Sequence, residues 1–432
     1  MKTAWTVACV AGVAGVIAGV SHADDLGTRK RVSYPDPVPE EILAGRIACD
    51  AGGGLYVPIE VHCDRVVFRD STSTVVASLP RGKGSNVNLS PQGDYASIVT
   101  LDPAPDKEAL GTCVAAMYDR RGTVLWSITR SVELDGALPW PRPFGTDGAS
   151  LDLSEGLQAA IVRDSHGSII RTMELIPQAM HDDESGAAIA FSEDGDCLAV
   201  LANADAPIAY GAPGPGGAGN PGPAHKGWPQ LALLDRTGHE LWRRPLEELG
   251  IGLKVDVSKS GALVIAGCAS LDEQRGIVDS GIYVFARDGS LIGKYAIHTP
   301  GGIWSPQFAV SADEQRIALA NLGRVMVLDS RTGNVVWDQP LSSSSTAEGI
   351  QAIEDVKFLG QGYSLAVART TQVKHDAYRR IDLIFVDESG RVVREADSCG
   401  TMHLRGDVVV TATPSGDRAG VLTAQGLVVV ER

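Results

Sequence analysis

The chain has none of the short signatures that announce a reaction. No Gly-x-Ser-x-Gly elbow, His-Glu-x-x-His pair, Cys-x-x-Cys motif or kinase motif set occurs in its 432 residues, which sets aside the common hydrolase, zinc-protease, dithiol and phosphotransfer sites. No amphipathic helix of useful length interrupts the sequence. Beyond the first twenty or so residues, no stretch approaches the ~18 apolar residues of a membrane span. Positive charge is scarce: 38 Lys and Arg face 53 Asp and Glu, a net charge of −15. That balance argues against a nucleic-acid or anionic-membrane footprint.

What is present begins with an address. Lys2 precedes an apolar run from Ala4 to Val20, and Ser21-His22-Ala23 offers the small residues a signal peptidase reads. Residues 1–23 are read as a cleaved secretory signal peptide, which makes the protein secreted or periplasmic with no membrane insertion after cleavage. The mature chain loses Lys2 and no acid, so its net charge falls to −16. Six cysteines remain: Cys49, Cys63, Cys113, Cys197, Cys268 and Cys399. An oxidising compartment permits disulfides. Cys113, Cys197 and Cys268 sit in apolar strand patterns and read as buried small hydrophobes. Cys49 with Cys63 is the expected pair, and Cys63 with Cys399 its rival.

The rest of the chain is dominated by a recurring hairpin, in which an apolar strand enters Asp-x-x-Gly or a near variant and a second apolar strand leaves. Three copies end in Trp: Ala116–Trp126 with Asp119 and Gly122, Ala232–Trp242 with Asp235 and Gly238, and Val325–Trp337 with Asp329 and Gly333. Further copies centre on Asp164, Asp288 and Asp387, and Val66–Val76 is a Gly-less version. Asp caps the turn through its side chain and Gly supplies the positive φ of a tight hairpin. A second motif, a Ser- and Gly-containing turn, alternates with the first. Its seven copies centre on Ser90, Phe144–Gly148, Ser192, Ser258, Ser311, Phe358–Gly362 and Thr413, about 45–65 residues apart. Two hairpins per period give four strands, the unit of a β-propeller blade. The expected fold is all-β: a propeller of four-stranded antiparallel blades over residues 61–432, after an N-terminal extension at 24–60. Seven blades are expected; eight is the alternative if residues 43–79 form a blade of their own. A last blade short of one strand would borrow it from Val66–Leu79.

The Asp329, Thr332, Gly333 and Trp337 pattern resembles the repeats of quinoprotein-like (PQQ-repeat) propellers. These include quinone-dependent dehydrogenases and non-enzymatic scaffolds, and the resemblance implies a Trp docked between neighbouring blades. Trp126 and Trp242 match with a turn one residue shorter. The Ser-x-x-Gly turns resemble those of WD40-like propellers, although the Gly-His…Trp-Asp signature is missing. The dehydrogenases of the first family carry adjacent cysteines beneath the cofactor. None occurs here, so no cofactor is expected.

Function is expected on one face. The turns within hairpins are short, and the other connections are long: Leu101–Thr112, Arg130–Arg142, Ile176–Ala187, Asn203–Gln230, Ala269–Ser280, His298–Ser305, Leu341–Asp355 and Arg369–Arg380. Long loops on a rigid scaffold carry binding residues. Trp140, Trp228 and Trp304 are candidate stacking platforms. His181, beside Asp182, Asp183 and Glu184, and Arg142 are candidate polar contacts. No catalytic or metal-ligating residue is assigned. Arg405-Gly406-Asp407 spells an adhesion tripeptide at a strand entry and is read as a chance match. The expectation is a non-catalytic binding or scaffold propeller with a protein, peptide or glycan partner. The alternative is a propeller hydrolase or lyase at the channel mouth, with His181, His298 and Asp355 as its convergent groups.

Overall fold

The computed structural model describes residues 37–82, 85–102, 111–132, 141–144, 147–153, 159–174, 187–202, 229–246, 251–272, 276–297, 306–321, 323–341, 350–372 and 376–432. Residues 1–23, expected to be a signal peptide, lie outside them. Among the described residues thirty-one strands form eight antiparallel sheets, each a simple meander in which sequence neighbours pair. Blade 1 spans residues 44–80, blade 2 86–132, blade 3 142–174, blade 4 187–245, blade 5 251–297, blade 6 307–340, blade 7 350–403 and blade 8 410–431. First strands touch between blades 2 and 3, 4 and 5, 6 and 7, 7 and 8, and 8 and 1. They therefore surround the axis, and the fourth strands form the rim. Among the described residues, eleven of the thirteen exposed large hydrophobics, including Val75, Ile169, Val335 and Val392, lie on these fourth strands. No helix among the described residues is long and apolar enough to cross a membrane.

Eight blades, the alternative expectation, are present because the first blade is complete. Ala44–Cys49 and Leu55–Val61 are its first two strands, so it begins inside the stretch 24–60 read as an extension. The turn that joins them is Asp50–Gly54. Asp50 Oδ1 accepts the amides of Gly52 at 2.8 Å and Gly54 at 2.7 Å, and Gly53 has φ +82°. It does with Asp and three glycines what Ser-x-x-Gly does elsewhere. Val66–Leu79 is not lent to the last blade. It belongs to strands Arg65–Arg69 and Val75–Pro80 of blade 1. Blade 8 has three strands among the described residues.

The hairpin motifs behave as their chemistry requires. Asp119, Asp164, Asp235 and Asp387 each accept, through Oδ1, the amides two and four residues on. Gly122, Gly167, Gly238, Gly289, Gly333 and Gly390 all have φ between +70° and +86°. In the Gly-less copy Ser73 takes the same conformation, at φ +64°. In the other turn, Ser90, Ser192 and Ser258 accept through Oγ the amide five residues on, each at 3.0 Å.

The tryptophans dock between blades. Trp126, Trp242 and Trp337 are buried, and each lies against the turn glycine of the next blade: Gly167, Gly289 and Gly390. Trp242 Nε1 also donates to the Arg287 carbonyl at 2.8 Å. The six described cysteines are free, and Cys113, Cys197 and Cys268 are buried on strands as expected. The Cys49–Cys63 pair is excluded by register. Cys49 opposes Leu55 at one end of the ladder, and Ala44 opposes Val61, next to Cys63, at the other. Cys63 and Cys399 are not joined either.

Candidate functional site

All turns from first to second and from third to fourth strand are four to six residues long and lie on one face. The connections of eight residues or more, 103–110, 133–141, 175–186, 203–229, 298–306 and 341–349, join strand ends at the opposite face. The expected segregation holds, with two exceptions. Ala269–Ser280 and Arg369–Arg380 are largely strand, in Leu263–Asp272, Gly276–Ala286, Leu365–Gln372 and Tyr378–Val386.

Beneath that face the channel wall carries charge. The first strands of blades 1, 5 and 7 place Arg46, then Lys254 and Asp256, then Asp355 and Lys357 at alternate positions. Residues two apart share a side of a strand. Here that side faces the axis, since Lys254 of blade 5 interacts electrostatically with Asp355 and Lys357 of blade 7 and with Asp407 ahead of blade 8. In these three blades the first-to-second ladder slips beside the charge, at Arg46/Ala48, Gly252/Lys254 and Ile353/Asp355. The corresponding ladders of the other five run without a slip. A bulge re-aims a side chain and bends its strand, and here it sets the charges toward the channel.

Most of these groups are tied down. Lys254 Nζ donates to Gln307 Oε1 of blade 6 at 2.5 Å and lies 5.6 Å from the centre of the Phe308 ring. Asp355 Oδ2 accepts the Val410 amide of blade 8 at 2.8 Å, and its Oδ1 accepts the Val356 amide at 2.9 Å. Burial pushes the carboxyls of Asp256 and Asp407 up, against the pull of Lys254 and Lys357 on the first and of Arg379 and Arg46 on the second. Burial likewise pushes the Lys254 and Arg46 cations down. Lys357 moves the other way, because Asp355 holds it charged more strongly than burial opposes it. Three cations and three carboxylates thus offset one another within the wall. Such a set braces neighbouring blades.

Of the residues expected to bind, the structure describes Arg142 alone; Trp140, Trp228, Trp304 and His181 lie outside the described residues. Arg142 opens the first strand of blade 3 and is half-buried, rather than lying in a loop. Its Nε is buried with no hydrogen-bond partner among the described residues, and burial pushes the guanidinium down to about 10. Arg379 is buried and bound to Glu354 Oε1 at 2.9 Å, so it is not offered to a ligand. Of the enzyme trio, His181 and His298 lie outside the described residues, and Asp355 is engaged with backbone amides. The Arg-Gly-Asp stretch is locked in place: the Gly406 carbonyl accepts Arg379 Nη2 and the Asp407 amide donates to Leu43. Asp382, Glu395 and Asp397 converge with metal-like spacing. Arg369 lies 3.1 Å from Asp382 and reaches Glu395, which makes the group an ion-pair network. The channel charges other than Asp355 were not legible as a site. Their only signal is the mirrored Lys254-Val255-Asp256 and Asp355-Val356-Lys357 just ahead of the first turns.

No family model and no curated protein matches the chain. Solved structures do. The chain is similar to the Dos1 propeller, with 10% identity, 90% of this chain and 91% of that one covered, and a TM-score of 0.51. It is also similar to a eukaryotic initiation factor, at 10% identity, 88% and 81% coverage and a TM-score of 0.48. A third likeness is to the Cps50 (Swd1) β-propeller domain of Myceliophteria thermophila, at 16% identity, 78% and 97% coverage and a TM-score of 0.42. At such identities the likeness is one of fold, and fold does not carry function. The quinoprotein-like half of the resemblance finds no support among these neighbours. The chain is an eight-bladed β-propeller.

Proposed function

We propose that this protein is a secreted, non-catalytic binding or scaffold propeller whose long-connection face receives a protein, peptide or glycan partner. The observation that carries the reading is the segregation of connections. Every connection of eight residues or more belongs to one face, and the other face has only turns of four to six residues. The polar groups of those short turns are largely spent on their own backbone amides. A face whose loops vary in length around a rigid ring is where recognition residues accumulate. Trp140, Trp228, Trp304 and His181 belong by sequence to four of those connections. Secretion rests on the N-terminal segment 1–23, and nucleic acid is disfavoured as a partner by the net negative charge.

The test is affinity capture from an envelope extract with the mature chain as bait. Trp228→Ala and Trp304→Ala should each deplete the captured partner by about 10-fold or more, as for a hot-spot aromatic. Lys259→Ala, on a short turn of the opposite face, should leave it unchanged. An identical set of partners with both Trp variants would sink the assignment of this face.

A further inference from the structure

Blades 5 and 7 carry opposite copies of one charge pattern. Val257 of blade 5 pairs with Val264, and Phe358 of blade 7 with Leu365, each the last ladder pair before the first turn. Counting back from these pairs sets Lys254 level with Asp355 and Asp256 level with Lys357. Each level therefore holds one cation and one carboxylate, in inverted order, with blade 6 between them.

The two levels are used differently. On the first, Lys254 is bound to Gln307 of blade 6, and Asp355 takes the amides of Val356 and Val410. These bonds run along the channel side of neighbouring first strands, so the residues two further on share that side. On the second level, Asp256 accepts the Val257 amide through Oδ1 at 2.9 Å, and its Oδ2 has no hydrogen-bond partner among the described residues. Lys357 Nζ has none among them either. The ammonium stays charged, held so by Asp355 first, then by Asp256 and by Glu193 on the first turn of blade 4. Yet no ion pair forms between Lys357 and Asp256, which leaves the two charges more than ~4 Å apart.

Both side chains are half-buried, so water serves them only in part. Charged groups in that position gain most from charge-assisted bonds. A ligand of a single sign would meet a like charge on the same level. A neutral ligand would offer each charge only the weaker kind of bond. A molecule with a carboxylate and an ammonium close together satisfies both at once. We propose that the channel binds a small zwitterion of the α-amino-acid class, its carboxylate on Lys357 and its ammonium on Asp256. This site uses no residue of the long connections and stands apart from the partner proposed for them.

Titration calorimetry on the mature chain, with each common L-amino acid in turn as the probe, tests this. At least one should give a saturable heat. Its N-acetyl and methyl-ester derivatives, each lacking one charge, should bind about 10-fold or more weakly, the worth of a hydrogen bond to a charged group. Lys357→Met and Asp256→Asn should each cause a similar loss, and Lys357→Arg should retain most of the binding. Lys259→Ala, exposed on the adjoining turn, should change nothing. Asp256→Asn keeps the shape of the side chain, so it remains a fair test where Lys357→Met disturbs the ring by circular dichroism. No saturable heat with any of the amino acids would overturn the proposal, and would mean that water or a direct Lys357–Asp256 pair fills the gap. Equal affinity for the blocked derivatives, or unchanged affinity in Asp256→Asn, would overturn it too.

Discussion

Gly289 meets two demands at once. Its φ is +80°, where an L side chain is strained, and a Cβ placed on it would lie 2.8 Å from Trp242 Cγ of the preceding blade. Gly53 meets only the first: its φ is +82° with nothing within 4 Å. Comparing the two separates turn conformation from blade docking. Gly53→Ala should cost about 1–2 kcal/mol, the expense of the left-handed conformation alone. Gly289→Ala should cost about 1–3 kcal/mol more, because the indole must move or the hairpin must shift. Urea midpoints at unchanged m-value measure both; equal losses would show that the Trp contact tolerates a methyl. The same pairing explains why Trp and Asp-x-x-Gly recur together in sequence, since each Trp needs a Cβ-free turn on the neighbouring blade. Where Trp is absent the glycine meets other groups: Tyr295 hydroxyl donates to the Gly333 carbonyl at 2.7 Å, and Val162 and Arg171 lie against Gly238. The motif was legible because its chemistry is local. Asp50–Gly54 makes the same kind of turn without the Ser that marks four of the others, and so blade 1 was left out of the expected seven.

At the scale of the strand, period-two patterning has two meanings. On a sheet with one wet face, alternate charges mark solvent. On the first strand of a propeller blade they mark the channel, and only the closed ring distinguishes the two. That is why Lys254, Asp256 and Lys357 were not anticipated, although the strands that carry them were; Arg46 was missed together with its strand. The bulges at Gly252/Lys254 and Ile353/Asp355 add a second layer that no residue pattern announces. Asp355 is the best probe of this wall, because it bonds the Val410 amide of the next blade and holds Lys357 charged. Asp355→Ala leaves an amide without its acceptor and a cation without its partner. It should cost about 2–3 kcal/mol, while Asp355→Asn, which keeps an acceptor, should cost less. Thermal unfolding ranks the variants, and exchange at the Val410 amide locates the damage. No loss in Asp355→Ala would mean that the wall charges serve a ligand rather than the ring.

For the whole molecule, the question is what holds blade 8 to blade 1, since no covalent link and no described shared strand joins them. The seam is made of a few named contacts. The Asp407 amide donates to the Leu43 carbonyl and the Leu43 amide to the Val61 carbonyl, both at 2.7 Å. Gly45 lies between the Ile59 carbonyl and Leu422, with no room for a Cβ. Ile42, buried, packs with Val57 of blade 1 and Leu422 of blade 8. A ring gains its resistance to opening from every seam in series, so the seam formed by sequence-distant segments has the largest loop to close. Ile42→Ala removes apolar packing there while keeping the backbone bond to Ala424. The expected loss is about 2–5 kcal/mol, and its distribution matters more than its size. Exchange should accelerate first in Ala44–Cys49, Leu55–Val61 and Arg418–Thr423, ahead of blades 3 to 5. An equally large truncation inside a blade, such as Leu233→Ala in blade 4, should not produce that order. Uniform acceleration around the ring in Ile42→Ala would show instead that the propeller opens as one cooperative unit, with no weakest seam.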